Sequence, residues 1–350
     1  MLGFFGLAQY CCNFSVRSGG RTTIVMARLP VGKLRLTSIF MLKTAFLFPG
    51  QGSQSAGMGK LLSQEFPSAR LTFEEADEAL GWSLSQVCFE GPEDELKKTE
   101  NTQPALLAVS VAAFRVLGDL GFKPDVVAGH SLGEYSALVA AGSLQFAEAL
   151  KLVKKRGRYM QEAVPLGTGS MAALLKLPAD MLDELLESAA QGEVLTVANL
   201  NSPDQVVIAG NSAAVERAVE MAKVAGARKA VVLPVSAPFH CPLMHLAQAR
   251  LKVDLDAAFF SDLAVPLVNN WQAEAIRSAD EAREGLYQQV PKPVRWTESV
   301  RKIASLGVQR FVEVGPGSVL TGLCRQIEPN LNGAKFGTPQ DLEKVQNVFA

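Results

Sequence analysis

The sequence predicts an α/β fold, with a large α/β domain interrupted by a smaller α+β unit. Three observations lead there. Past Thr44, short apolar runs alternate with segments of helical periodicity. In the middle of the chain the order changes to strand, helix, strand, strand, helix, strand, the split ferredoxin-like pattern. The 350 residues are 48% apolar and 20% charged, a globular composition with ample material for a core.

Each element follows from local pattern. TAFLFPG (44–50) is a strand ended by a Pro-Gly break. PALLAVSVAAFRVLGDLGF (104–122) is a nearly all-apolar helix, hence buried on most sides. DVVAGHS (125–131) is a short strand that runs into GHSLG. MAALLKL (171–177), a helix over 178–190, VLTVANL (194–200), QVVIAG (205–210), a helix over 212–225 and KAVVLPV (229–235) make the smaller unit, with NSPD (201–204) as the turn between its central strands. VPLVNN (265–270) and RFVEVG (310–315) are further strands of the large domain. The boundaries are residues 41–165 and 237–350 for the large domain and 166–236 for the small one.

Residues 1–40 stand apart. Five of the 34 basic residues lie there and no acidic one does, so the rest carries 29 basic against 35 acidic residues, a net of −6. That balance argues against nucleic acid as a partner. The segment is set aside as an extension upstream of MLKTAFLFPG, an organelle transit peptide being the alternative. The corresponding location is cytoplasmic, or a mitochondrion or plastid on the alternative. No apolar run is long enough for a membrane span. Five cysteines without metal or disulfide spacing fit a reducing compartment, and three histidines without HExxH or CxxC predict no metal site.

The chemistry centres on Ser131. In GHSLG the serine follows a strand and opens a helix, the setting of a nucleophile elbow. Glycines allow strand and helix to approach closely, so the hydroxyl projects from the turn, and the first helix N–H groups, Leu132's foremost, face a growing oxyanion. The competing local reading makes Ser131 a helix cap, with Glu134 completing a capping box. A nucleophile needs a base. His130 is adjacent and should point away, while His245 falls in a helical pattern. His240, in a proline-flanked loop after a strand, is the candidate. PGQGSQSAGMGK (49–60) fails as a Walker A loop and as a dinucleotide fingerprint, leaving a backbone loop able to offer a second oxyanion donor.

These pieces resemble the malonyl-CoA:acyl carrier protein transacylases and related acyltransferase domains. The resemblance rests on FPGQGSQ (48–54), TQPALLAVSVA (102–112), AGHSLGEYSALVAAG (128–142), KRGRYMQEAVPLGTGSMAA (155–173), NSPDQVVIAG (201–210), PVSAPFHCPLM (234–244), VPLVNN (265–270) and VEVGPGSVLTGL (312–323), in family order. It implies a hydrolase-like large domain with a ferredoxin-like insert and ping-pong transfer of a malonyl group from malonyl-CoA to the phosphopantetheine thiol of acyl carrier protein. It implies Ser131 as nucleophile, His240 as base, and the backbone N–H groups of Gln51 and Leu132 as oxyanion hole. Arg156 would hold the substrate carboxylate, and the Gln289 backbone carbonyl would orient the histidine. No cofactor or metal is implied, and a monomer is expected. The helical stripe Phe146, Leu150, Val153, Gly157, Met160 puts Arg156 and Lys154 at the flank of a buried face, with Lys155 and Arg158 pointing away. Lys151, Lys154, Lys155 and Arg158 are candidates for docking the acidic carrier. Fatty acid synthesis is the expected pathway and polyketide synthesis the alternative. A serine hydrolase of α/β-hydrolase type is the rival reaction class, though it wants an HGGG-type loop that the sequence lacks.

Overall fold

The computed structural model describes residues 42–350, together with the backbone of an antiparallel strand pair, Ser15–Ser18 with Arg21–Ile24. The expectations for residues 1–40 otherwise lie outside the described residues.

The central sheet grows from β1 (Lys43–Phe48) and β2 (Val126–Gly129), which pair in parallel. Side chains alternate across it. Phe46, Phe48 and Val127 face one side, against α1 (Thr99–Asp119) and α3 (Phe146–Glu162). Ala45, Leu47, Val126 and Ala128 face the other, against Trp296, Val300 and Ile303 of α8 (Trp296–Ser305) and Leu320 and Leu323 of α9 (Val319–Ile327). A strand covered on both faces must be apolar throughout, which explains why AFLF and VVA read as unbroken runs. Six strands complete the sheet in the order β8-β7-β2-β1-β9-β10, where β7 is Leu267–Val268, β8 Ala275–Ile276, β9 Val308–Val314 and β10 Asn332–Phe336. Only the short edge strand β8 is antiparallel to its neighbour.

Four helices that the apolar pattern did not announce, Lys60–Glu65, Pro67–Leu80, Leu84–Glu90 and Glu93–Lys97, lie between β1 and α1. The helix expected from Pro104 begins at Thr99, with Pro104 inside it. A proline in the second turn gives up one intrahelical bond. Thr102 anchors the preceding turn, its hydroxyl donating to the Leu96 carbonyl at 2.5 Å and to that of Lys98 at 3.1 Å.

The middle of the chain forms a second sheet from β3 (Gly169–Leu175), β4 (Leu195–Ser202), β5 (Gln205–Asn211) and β6 (Lys229–Val232), in the order β4-β5-β3-β6 and antiparallel throughout. Helices α4 (Leu182–Ala190) and α5 (Ser212–Val224) cover one face, closing a separate core around Leu174, Leu185, Ile208 and Val215. The edge strand β4 also bonds to the segment before α8: Leu200 N–H donates to the Val294 carbonyl at 2.9 Å, and Val294 N–H to that of Ala198 at 2.9 Å. No helix among the described residues is long and apolar enough to cross a membrane.

Candidate active site

The turn between β2 and α2 (Gly133–Ala140) is built by two glycines. A Cβ on Gly129 would lie 1.9 Å from the Gly133 carbonyl, and one on Gly133 would lie 2.0 Å from the Phe48 carbonyl oxygen. No side chain fits in either place. Between them Ser131 adopts a left-handed backbone, φ 51°, which costs a non-glycine residue about 1–2 kcal/mol. That conformation is wrong for a helix cap, and the capping box does not form. The Ser131 N–H donates to Asn270 Oδ1 at 2.6 Å, and α2 has no side-chain cap bond. The hydroxyl is left free to face the site.

There Ser131 Oγ meets His240 Nε2 at 2.8 Å. His240 is also left-handed, φ 59°, in the loop after β6, and only 3% exposed. Its Nδ1–H donates to the Gln289 backbone carbonyl at 2.9 Å, which leaves the Nε2 lone pair toward the serine. Burial, and next the Arg156 charge, push its pKa down to about 3, so the ring is a neutral acceptor near pH 7. The other two histidines stand apart. His130 bonds Asn201 at 2.8 Å and packs on Trp296, while exposed His245, the first residue of α6 (His245–Ala257), bonds Gln248 at 3.1 Å.

Arg156 reaches the same hydroxyl from α3. Its Nη2 donates to Ser131 Oγ at 3.1 Å and to Gln289 Oε1 at 2.9 Å, and Nη1 donates to Gln103 Oε1 at 2.8 Å. Gly157 makes this possible, since a Cβ there would lie 2.6 Å from the Thr99 carbonyl oxygen and hold α3 off α1. The guanidinium is 1% exposed, its Nε lacks a partner, and it forms no ion pair among the described residues. Burial accordingly pulls its pKa below the usual arginine value. A buried cation among neutral carboxamides is costly, and an arriving carboxylate would relieve that cost.

Gln51 follows Gly50, whose backbone lies so near the elbow that a Cβ would sit 2.4 Å from the His130 carbonyl oxygen. The neighbouring Gly52 N–H is taken up by Gln54 Oε1 at 2.7 Å. The N–H groups of Gln51 and Leu132 have no acceptor among the described residues. The six sequence-predicted positions thus converge on one turn.

Sequence reasoning missed Gln103, Glu134 as anything but a cap, and Asn270. Glu134 Oε2 accepts from Asn270 N–H and from Gln289 Nε2, each at 2.9 Å, and Asn270 Nδ2 donates to the Gly129 carbonyl at 2.6 Å. The signal was present: buried Gln and Asn inside the apolar stretches TQPALL and VPLVNN demand partners. The expected docking cations are mostly engaged. Lys151 pairs with Glu148, Lys155 with Asp254 and Arg158 with Glu162, and Lys154 lies over Trp82.

An α/β scaffold that carries a serine on a strand-helix turn beneath a neutral imidazole is built for acyl chemistry on a serine ester, and the comparisons place it among the acyltransferases. The family model described as acyl transferase domain matches residues 45–333, and this chain belongs to that family. The malonyl CoA-acyl carrier protein transacylase of Escherichia coli K12 is 48% identical over 303 residues, covering 86% of this chain and 98% of that protein. An acyl carrier protein S-malonyltransferase crystal structure from Vibrio cholerae superposes with a TM-score of 0.84 at 46% identity, covering 87% of this chain and 99% of the other. A malonyl-transacylase in complex with a type II polyketide synthase acyl carrier protein gives a TM-score of 0.85 at 46% identity, with the same shares covered.

Proposed function

We propose that this chain moves a malonyl group from malonyl-CoA to the phosphopantetheine thiol of acyl carrier protein through an ester on Ser131, supplying fatty acid synthesis. One observation carries the reading. A fully buried arginine that forms no ion pair among the described residues touches the nucleophile's oxygen, so the group attached there should end in a carboxylate.

In this mechanism Ser131 Oγ attacks the thioester carbonyl as His240 Nε2 takes its proton. The oxyanion forms against the N–H groups of Gln51 and Leu132, each worth about 3–4 kcal/mol in such sites. The C–S bond breaks, and the CoA sulfur leaves with the proton from His240. The carrier's thiol then attacks the ester, giving its proton to His240, which returns it to Ser131. The malonyl carboxylate also assists the base. Pairing with Arg156 cancels the charge that helps hold the His240 pKa down, so the imidazole becomes more basic when the substrate is in place. The reading assigns no cofactor and no metal.

The strand order β4-β5-β3-β6 supports a ferredoxin-like insert over residues 166–236, within a hydrolase-like domain of residues 41–165 and 237–350. A cytoplasmic monomer completes the reading. The polyketide alternative has its own support in the relative solved with a polyketide carrier. Steady-state kinetics with both substrates test the proposal. Parallel double-reciprocal lines, with malonyl-carrier as product, are expected. Intersecting lines, or release of free malonate faster than transfer, would favour a sequential enzyme or a hydrolase instead.

A further inference from the structure

We propose that Glu134 is a positioning residue for acyl transfer, one carboxylate oxygen fixing both the serine's backbone and the histidine's orientation. The inference rests on the reading of Ser131 as nucleophile and His240 as base.

Glu134 is 1% exposed, beneath the elbow on α2. Its Oε2 receives two donors from different parts of the chain, Asn270 N–H and Gln289 Nε2, each at 2.9 Å. Asn270 lies beyond the end of β7. With its amide held by Glu134, its side chain spans the elbow, accepting the Ser131 N–H at 2.6 Å and donating to the Gly129 carbonyl at 2.6 Å. Gln289 ends α7 (Ala279–Gln289). Its backbone carbonyl receives His240 Nδ1–H, its Oε1 receives Arg156 Nη2, and its Nε2 also donates to the Ser131 carbonyl at 3.1 Å. A shift at Glu134 therefore reaches the nucleophile through Asn270 and the base through Gln289, while Arg156 keeps its separate bond to Gln103.

The other oxygen makes the assignment specific. Oε1 is buried without a partner among the described residues, on the side of Gly285, where an added Cβ would lie 3.4 Å from it. Gly285 is one helical turn before Gln289, so the helix that carries Gln289 also borders Oε1. Burial raises the Glu134 pKa to about 7. Both positioning bonds end on Oε2, an acceptor that a carboxamide oxygen also supplies. Glutamine should then substitute, its carbonyl oxygen replacing Oε2 and its amide lying toward Gly285.

The test uses the full chain and two probes of Ser131: acylation by malonyl-CoA, and labelling by a neutral fluorophosphonate that needs neither arginine nor carrier. Glu134→Leu should slow labelling on the order of 10²-fold per titrated active site, the cost of a misplaced reacting group. The KM for malonyl-CoA should stay within about threefold, because the Arg156 contacts to Gln103 remain. Glu134→Gln should restore labelling to within about fivefold of the parent. Glu313→Gln alters an equally buried carboxylate that caps α9 far along the chain, and should label at the parent rate. If Glu134→Leu does not fold, Asn270→Ala carries the test by cutting one arm, with labelling slowed at least about tenfold. Parent-like labelling in Glu134→Leu or Asn270→Ala, no recovery in Glu134→Gln, or equal slowing in Glu313→Gln overturns the inference alone. Failure of Ser131 to label in the unsubstituted protein overturns the functional reading and the inference with it.

Discussion

Replacing Arg156 by alanine separates substrate recognition from the chemistry of the serine. In the free protein the guanidinium is buried among three neutral oxygens, those of Gln103, Gln289 and Ser131. Removing one member of a buried, hydrogen-bonded charge pair costs about 3–5 kcal/mol. At 1.4 kcal/mol per decade that is between about 150- and 4,000-fold in kcat/KM for malonyl-CoA. Acetyl-CoA never forms that pair, so its kcat/KM in Arg156→Ala should remain within about tenfold of the parent, the residual change reflecting the lost donation to Ser131 Oγ. The preference for malonyl over acetyl should therefore collapse by two to three decades, on the order given by the pair energy. Acylation rates with each CoA ester, read by CoA release, provide the measurement. An equal fall for both esters would refute the reasoning, because it would make Arg156 a support for the serine and not a receptor for the carboxylate.

Further predictions follow from the same geometry. Since His240 stays unprotonated down to about pH 3, the fluorophosphonate labelling profile should lack the acid limb near pH 6.5 of an ordinary histidine. In Arg156→Ala an acid limb should move upward in pH, and an unmoved limb would deny the coupling. The unfolded histidine binds a proton near pH 6.5 and the folded one does not, so this residue's contribution to stability is full above pH 6.5 and lost as pH falls toward 3. His240→Gln should flatten the urea midpoint across that window. Gln51→Pro deletes one oxyanion donor and should lower kcat about 10²- to 10³-fold with little change in melting temperature, whereas an unchanged kcat removes Gln51 from the site. Gly129→Ala must push the elbow apart and should destabilise the protein by about 3 kcal/mol or more, read from urea unfolding.

The parts of the fold legible in the sequence are those where one pattern has one structural meaning. AFLF and VVA are apolar at every position because helices cover both faces of the sheet, and the insert is legible from the order of its apolar runs and helices and from the turn that joins its two central strands. The stripe around Arg156 was legible for the same reason: Leu150, Val153 and Met160 are buried as their spacing requires. Elsewhere tertiary contacts prevailed. VPLVNN supplies only Leu267–Val268 to the sheet, because Asn269 and Asn270 leave the ladder to bond the site and the neighbouring turn. Pro104, a favoured first helical residue, lies within α1 since the turn before it is anchored by Thr102. Within the site, Ser131 and His240 announce themselves by chemical type. Glu134, Asn270 and Gln103 do not, because their roles depend on bonds between segments 53 to 155 residues apart, and local periodicity carries no trace of those distances.

The central claim is that Ser131 carries the acyl group. Incubating the protein with malonyl-CoA in the absence of carrier, digesting it and weighing the peptides tests this directly. The account predicts a single malonyl adduct on the peptide containing Ser131, absent in Ser131→Ala and removed by adding carrier thiol. An adduct on another peptide, or one that persists in Ser131→Ala, would contradict it.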